Sequence, residues 1–136
     1  MSHILFIVWQ DDDAVGVPII DEQHRGIIAT INSLHYFIQE GHGLEGLKPT
    51  MDILKQYMKF HVVTEDGILK KHNYQDLDQH YLKNDRLFVQ FSAISQEAIS
   101  YRDPMLLLKF LRHWWLDHIK EEHAKYASVL TKQSYS

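Results

Sequence analysis

The sequence contains no cysteine, and this absence excludes several kinds of site at once. Without thiols the chain has no disulfides, thiolate zinc sites, iron–sulfur clusters or thiol nucleophiles. A chain without cysteine also suits a reducing compartment, and we expect a cytoplasmic protein.

A strong charge of one sign and long apolar runs are lacking as well. The 136 residues carry a formal net charge of -4, which has the wrong sign for a nucleic-acid binder. No apolar run approaches the roughly 20 residues that span a bilayer, and the short run from Met1 to Trp9 has no basic leader. We therefore expect neither a nucleic acid nor a membrane as partner, and we interpret residues 1–18 as an N-terminal arm packed onto the domain.

Histidine and a helical hydrophobic pattern are what the sequence does have. Ten residues are histidine, and 45% are hydrophobic, enough for a core. Apolar residues recur at helical spacing in four segments, which begin near Asp21, Pro49, Leu77 and Pro104. Pro49 and Pro104 stand where first-turn prolines belong. Four such segments, each of about 20 residues and joined by short loops, predict one all-α domain over residues 1–136, an antiparallel up-down-up-down four-helix bundle.

Polar side chains interrupt the apolar stripes near one end of the predicted bundle. They are His24, His61, Glu65, His80 and His118. A lone inward histidine is most often a core residue, but burying five such groups in one layer is costly unless a cation compensates them. Imidazole and carboxylate donors without sulfur suit iron, manganese or zinc. The pattern therefore predicts a metal site between the helices.

The remaining histidines have less informative positions. His72 lies on the stripe beyond Glu65, so we assign it to the bundle end or to a place beside the ligands. We interpret His35 and His113 as structural, and His3 and His42 as solvated residues of the arm and a loop.

Several motifs in the first half of the chain match a known pattern. Trp9, residues 15–17 (Val-Gly-Val) and residues 20–24 (Ile-Asp-Glu-Gln-His) match an opening of a tryptophan followed by VG-hydrophobic and ID-x-QH. Phe60-His61 with Glu65-Asp66 is similar to an HF-x-x-EE helix. In these motifs the chain resembles the hemerythrin family in its bacterial single-domain form.

The resemblance continues through the second half of the chain. Residues 74–80 are similar to the family's YPDL-x-x-H turn, with Gln75 in place of proline. Trp114, His118-Ile119 and Tyr126 are similar to its WL-x-x-HI motif and terminal tyrosine. These motifs occur in order and in register on all four predicted helices.

The resemblance implies a non-haem di-iron centre that binds dioxygen reversibly. In that family one iron takes three histidines, the other takes two, and two carboxylates bridge them. Carried over to this sequence, His24 and His61 serve the two-histidine iron. His80 and His118 serve the other iron, and Glu65 is a bridge.

Two of the family's ligands are replaced in this sequence. Its second third-helix histidine falls at Asn84, and its fourth-helix bridging aspartate falls at His123. Asn84 offers a neutral carbonyl oxygen or a hydrogen bond to a bound ligand, and His123 can be a terminal ligand but not a carboxylate bridge. One iron is then under-coordinated or absent, so the chain holds one iron or two.

Neighbouring carboxylates are alternatives at both positions. In a regular helix Glu122 lies closer than His123 to the face of His118, because a spacing of five requires a distortion such as a π-bulge. Asp85 similarly competes with Asn84. We favour His123 over Glu122, and Asn84 over Asp85.

Three functions remain open at this point. The first is dioxygen binding for storage, delivery or sensing, in a pocket formed by Ile28, Trp115 and Ile119, which equally suit a plain core. The second is an altered mononuclear or asymmetric di-iron site that reacts with peroxide or nitric oxide. The third is a bundle with zinc or no metal that acts as a protein-interaction module; a sensor would also need a protein partner. We assign no catalytic residue, because no separate acid–base pair supports a dedicated enzyme.

Overall fold

The computed structural model describes residues 4–133, with side chains through residue 130. A short 3-10 turn, Asp11–Asp13, precedes four helices: α1 (Pro18–Gln39), α2 (Gly43–Lys71), α3 (Leu77–Ser100) and α4 (Pro104–Gln133). The described part of the chain contains no strand. Connections of only a few residues place successive helices antiparallel, and the predicted four-helix bundle is confirmed.

The start of α2 differs from the prediction, whereas the start of α4 agrees with it. Helix α2 begins at Gly43, so Pro49 lies inside the helix and its assignment to the first turn is wrong. The extra turn packs closely on α1, since a Cβ added at Gly46 would lie 2.6 Å from the ring of Phe37. At α4 the Asp103 carboxylate accepts a hydrogen bond from the Met105 N–H at 3.1 Å, as an N-cap does.

The interior has an apolar half and a half that contains polar groups. The apolar half includes Leu34, Leu54, Met58, Leu108 and Leu111, each with at most 2% of its surface exposed. The second half combines an apolar cluster around Ile20, Leu69, Trp115 and Tyr126 with the buried histidines and glutamates. Since each buried large side chain stabilises the fold by about 1.5–3 kcal/mol, the apolar half compensates the cost of the polar half.

None of the helices within residues 4–133 is both long enough and apolar enough to cross a bilayer.

The N-terminal arm packs along α1 through one asparagine. Asn32 Oδ1 accepts a hydrogen bond from the Ile7 N–H at 2.9 Å, and Asn32 Nδ2 donates to the Ile7 carbonyl at 2.8 Å. The Phe6 ring stacks on His35 at a centroid distance of 4.8 Å. His3, which we placed in this arm, lies outside the described residues. The described arm is thus attached to the helix by a two-point polar contact and an aromatic contact.

We expect Asn32→Ala to loosen this arm. The substitution removes both hydrogen bonds to Ile7, each worth about 0.5–1.5 kcal/mol, so the free energy of unfolding should fall by about 1–3 kcal/mol. Ser33→Ala is the matched control, because that exposed hydroxyl bonds only the Ala29 carbonyl of its own helix. Urea unfolding of both variants measures the difference, and equal stabilities would show that Asn32 does not hold the arm.

Candidate metal centre

Three imidazoles and one carboxylate converge inside the polar half of the bundle. His24 comes from α1, His61 from α2, and His118 and Glu122 from α4. Their four ligand atoms all lie within 4.8 Å of one another. Atoms bound to one ion at about 2.1 Å are at most about 4.2 Å apart, so a small closure brings all four onto a single cation.

Helical spacing explains why these side chains meet. His61 and Glu65 are four residues apart on α2, and their Nε2 and Oε2 atoms are 3.4 Å apart. His118 and Glu122 have the same spacing on α4, with Nε2 and Oε1 3.7 Å apart. The Nε2 atoms of His24 and His118 face each other across the bundle at 3.2 Å.

Several buried polar atoms of this group and of the adjacent Glu65 have no hydrogen-bond partner within the described part of the chain. They are His24 Nδ1, His61 Nε2, Glu65 Oε2 and both carboxylate oxygens of Glu122. An unpaired buried polar group costs about 1–3 kcal/mol. A metal cation would use the imidazole and carboxylate lone pairs together, so the residues present fit one metal ion.

Two histidines of this group, His24 and His118, stay neutral at physiological pH because their pKa values are lowered. Burial, assisted by the neighbouring His61, lowers the pKa of His24 from 6.5 to about 3. Burial also lowers the pKa of His118 well below its usual value, with further contributions from His24 and His61. Neutral imidazole is the form that binds a metal, so these two side chains need not lose a proton to do so.

The two buried glutamates share one negative charge. Burial and the neighbouring Glu65 raise the pKa of Glu122 well above its usual value. Burial acts on Glu65 in the same direction, but its contacts with Glu122, His61 and Lys125 outweigh burial and hold its pKa well below the usual value. Two adjacent carboxylates without a metal cannot both ionise easily, which accounts for this division.

An outer hydrogen-bond chain orients His61. Its Nδ1–H donates to Gln23 Oε1 at 2.9 Å, and Gln23 Nε2 donates to Thr64 Oγ1 at 2.9 Å. With Nδ1 occupied in this way, the Nε2 lone pair of His61 faces the other ligands. Such partners set the tautomer and the ring direction of metal-binding histidines.

His80 lies beside this group but has other partners. Its Nδ1 is 2.6 Å from Lys125 Nζ, and its Nε2 is 2.7 Å from Asp66 Oδ1 and 3.2 Å from Glu65 Oε1. Burial and the Lys125 charge lower the pKa of His80. The sequence placed His80 and His118 at the same iron, whereas the structure separates them.

At the fourth helix the geometry favours Glu122 over His123, the reverse of our preference from sequence. Glu122 is fully buried within the group, whereas His123 is half-buried and outside it. The reason is that α4 is an uninterrupted α-helix from Pro104 to Gln133, without the π-bulge that a spacing of five requires.

The other candidates on α2 and α3 lie at the margin of the centre. Asn84 Nδ2 is 3.1 Å from His80 Nε2, whereas Asp85 is exposed. His72 follows the last residue of α2, where its Nδ1–H donates to the Ile68 carbonyl at 2.9 Å.

The residues predicted to line a ligand pocket are buried beside the centre. Ile28, Trp115 and Ile119 belong to the second apolar cluster, and the Trp115 ring meets His24 edge-on at 5.3 Å. A separate cleft of about 410 Å³ lies between α3 and α4, with Asn84 and His118 in its wall. This cleft leads from the surface to one ligand of the group.

Sequence reasoning missed Lys125 and Gln23. Lys125 is seven residues after His118 and three after Glu122, a spacing that places all three on one helix face. That spacing was a usable signal, although a lysine is rarely buried without partners and so was not expected in the core. Gln23 stood inside a family motif, but its contact with His61 joins two helices and is not visible in a sequence.

A bundle of this kind, with histidines and carboxylates directed inward, is a cation-binding four-helix bundle. The family model of the hemerythrin HHE cation-binding domain matches residues 15–130. The chain belongs to this family.

Curated relatives from bacteria and from an amoeba agree with that assignment. A bacteriohemerythrin of Clostridium acetobutylicum is 27% identical over 88% of this chain and 97% of its own length. A bacteriohemerythrin of Pseudomonas aeruginosa is 28% identical over 96% of this chain and 83% of its own length. A hemerythrin-like protein of Naegleria gruberi is 27% identical over 90% of this chain and 92% of its own length.

We expect the metal-free protein to lose stability as the pH falls from 7 to 5. The unfolded chain protonates its histidines near pH 6.5, whereas folded His24 and His118 stay neutral, so unfolding takes up protons in this range. Glu122 has the opposite effect on stability, because its raised pKa lets the folded protein bind a proton in this range that the unfolded chain does not bind. The net loss should be about 1–3 kcal/mol in urea unfolding of chelator-treated protein. A His24→Asn/His118→Asn variant should show a smaller loss, and an equal loss would contradict this origin.

We also expect Gln23→Ala to weaken metal binding without unfolding the protein. Loss of an outer hydrogen bond to a ligating histidine typically reduces metal affinity by about 10–100-fold. Competition with a chelator for Co²⁺ measures the affinity, and Gln39→Ala, exposed at the end of the same helix, is the control. Unchanged Co²⁺ affinity in Gln23→Ala would show that Gln23 does not orient His61.

Proposed function

We propose that this chain is a non-haem iron protein whose centre binds a small diatomic ligand, with dioxygen as the first candidate. The observation that carries the proposal is the convergence of His24, His61, His118 and Glu122 on one buried point. Imidazole and carboxylate donors without sulfur suit iron, and the hemerythrin resemblance favours iron over manganese or zinc.

In this proposal the chain's own residues hold the ion and limit access to it. The three histidines and Glu122 are the ligands, and Glu65 adds a second carboxylate beside them. A ferrous ion held there would supply a coordination position for a small ligand. The hydrogen bond to Gln23 holds the His61 ring in the orientation that directs its Nε2 atom to the ion.

The surroundings of the centre suit a small uncharged ligand. Ile28, Trp115 and Ile119 are at most 7% exposed and keep water from that side. The cleft between α3 and α4 gives an approach at His118, where the Trp114 ring stacks on the imidazole at 4.9 Å. Such an approach admits a diatomic molecule to the side of His118.

A second candidate function is reaction with peroxide or nitric oxide at an altered centre. One observation favours it: His80 contacts Lys125 and Asp66 and is not part of the four-residue group. The centre therefore lacks one of the histidines that the resemblance assigns to dioxygen binding.

The decisive experiment is anaerobic loading with Fe²⁺, followed by metal counting and optical spectra before and after dioxygen or nitric oxide. We expect bound iron and a spectral change that removal of the gas reverses. His118→Ala should lower iron affinity more than about 100-fold, because a ligand matters more than its outer partner. The exposed His113→Ala, on the same helix, is the control.

Each other outcome has a distinct meaning. An iron spectrum that changes with nitric oxide or peroxide but not with dioxygen would favour the second candidate. Absence of bound iron, or equal iron content in His118→Ala and in the control, would overturn the proposal.

A further inference from the structure

Lys125 is a buried cation among the polar side chains of the bundle interior. We call this set the polar layer; it consists of His24, His61, Glu65, His80, His118, Glu122 and Lys125. Only 8% of the residue is exposed, and its Nζ lies 2.6 Å from His80 Nδ1, 3.5 Å from Glu65 Oε1 and 3.6 Å from Glu122 Oε1. An ammonium group has three N–H donors, and here it faces three acceptors. The side chain is therefore held at a defined point between one imidazole and two carboxylates.

Two of these acceptors are the groups that the resemblance assigns to a second iron. His80 would be a terminal ligand of that iron, and Glu65 would bridge to it. A metal ion within bonding distance of both would stand close to the ammonium nitrogen, where the two like charges repel strongly in a buried site. The ammonium and a second metal ion are thus alternatives at this position.

His80 has no lone pair left for a metal while Lys125 is in place. Its Nδ1 accepts from the lysine, and its Nε2–H donates to Asp66 Oδ1 at 2.7 Å. A neutral imidazole has one donor and one acceptor, and both are used. The neighbouring Asn84 supplies no imidazole to replace it.

The unpaired atoms of the polar layer belong to residues other than His80 and Lys125, although one of them, Glu122 Oε1, lies 3.6 Å from Lys125 Nζ. The two oxygens of Glu65 differ in the same way: Oε1 contacts His80 and Lys125, whereas Oε2 faces His61 and has no hydrogen-bond partner. Among the described side chains, His24, His61 and Glu122 also have unpaired atoms, but His80 and Lys125 have none. The layer therefore has one side that needs a cation and one side that already contains a cation.

We propose that the Lys125 ammonium group occupies the place of a second metal ion, so that the centre binds one metal ion per chain. This inference rests on the proposed function, because it assumes that the group of His24, His61, His118 and Glu122 binds metal. It differs from the simpler explanation that a second ion is lost only because Asn84 and His123 replace ligands.

Metal counting on three proteins separates these explanations. The wild type, an Asn84→His/His123→Asp variant and an Asn84→His/His123→Asp/Lys125→Ala variant are saturated with Co²⁺, passed through a desalting column and analysed for metal per chain. We expect one, one and two ions: a histidine at position 84 adds a donor, Glu122 already supplies a carboxylate from α4, and neither admits a second ion while the lysine remains. The matched control carries Lys120→Ala in place of Lys125→Ala. Lys120 is an exposed lysine on the same helix, so this variant should still bind one ion.

The possible results distinguish this inference from the proposed function. Two ions in the wild type or in the double variant would overturn the inference alone, whereas no ion in the wild type would overturn both. One ion in a folded triple variant would also overturn the inference. Circular dichroism checks folding, and Lys125→Ser replaces Lys125→Ala with the same expected count if the alanine variant is unfolded. A second measurement is electron paramagnetic resonance of the iron-loaded, oxidised wild type. The high-spin ferric signal should account for all the iron, because two antiferromagnetically coupled ferric ions would not give that signal.

Discussion

The structure depends on how one end of the bundle compensates its buried polar groups. Three imidazoles and two carboxylates lie where a bundle of this size would otherwise place leucine or isoleucine. Burying them is unfavourable unless cations and hydrogen bonds satisfy them. The large apolar cluster at the other end, which includes Leu54 and Leu111, stabilises the fold enough to tolerate this cost.

Much of this arrangement could be predicted from sequence because it depends on helical periodicity. Spacing alone placed His61 with Glu65, and His118 with Glu122, on shared faces directed to the core. Periodicity is a weaker guide to helix ends: α2 begins at Gly43 because Gly46 packs on Phe37, a contact between helices. The same limit applies to Gln23, whose importance arises only from its contact with another helix.

The choice between Glu122 and His123 shows where a family pattern and local geometry diverge. The resemblance pointed to position 123, since the family's carboxylate follows its histidine by five residues. That spacing requires a distorted helix, and α4 is regular across this region. With a regular helix the residue at the four-residue spacing faces the centre, so a carboxylate is retained although the expected aspartate is absent. The residue that faces the centre is therefore decided by helix geometry as well as by the family pattern.

Lys125 changes what the metal-free chain can do by itself. A metal ion has to be acquired, whereas an ammonium group belongs to the chain and is present as soon as the helices pack. It pairs with Glu65 and His80, so half of the polar layer is satisfied before any metal arrives. The other half retains unpaired imidazole and carboxylate atoms in a preformed arrangement. An asymmetric layer of this kind combines a part that the chain's own ammonium group already pairs with a part whose lone pairs remain available to a cation.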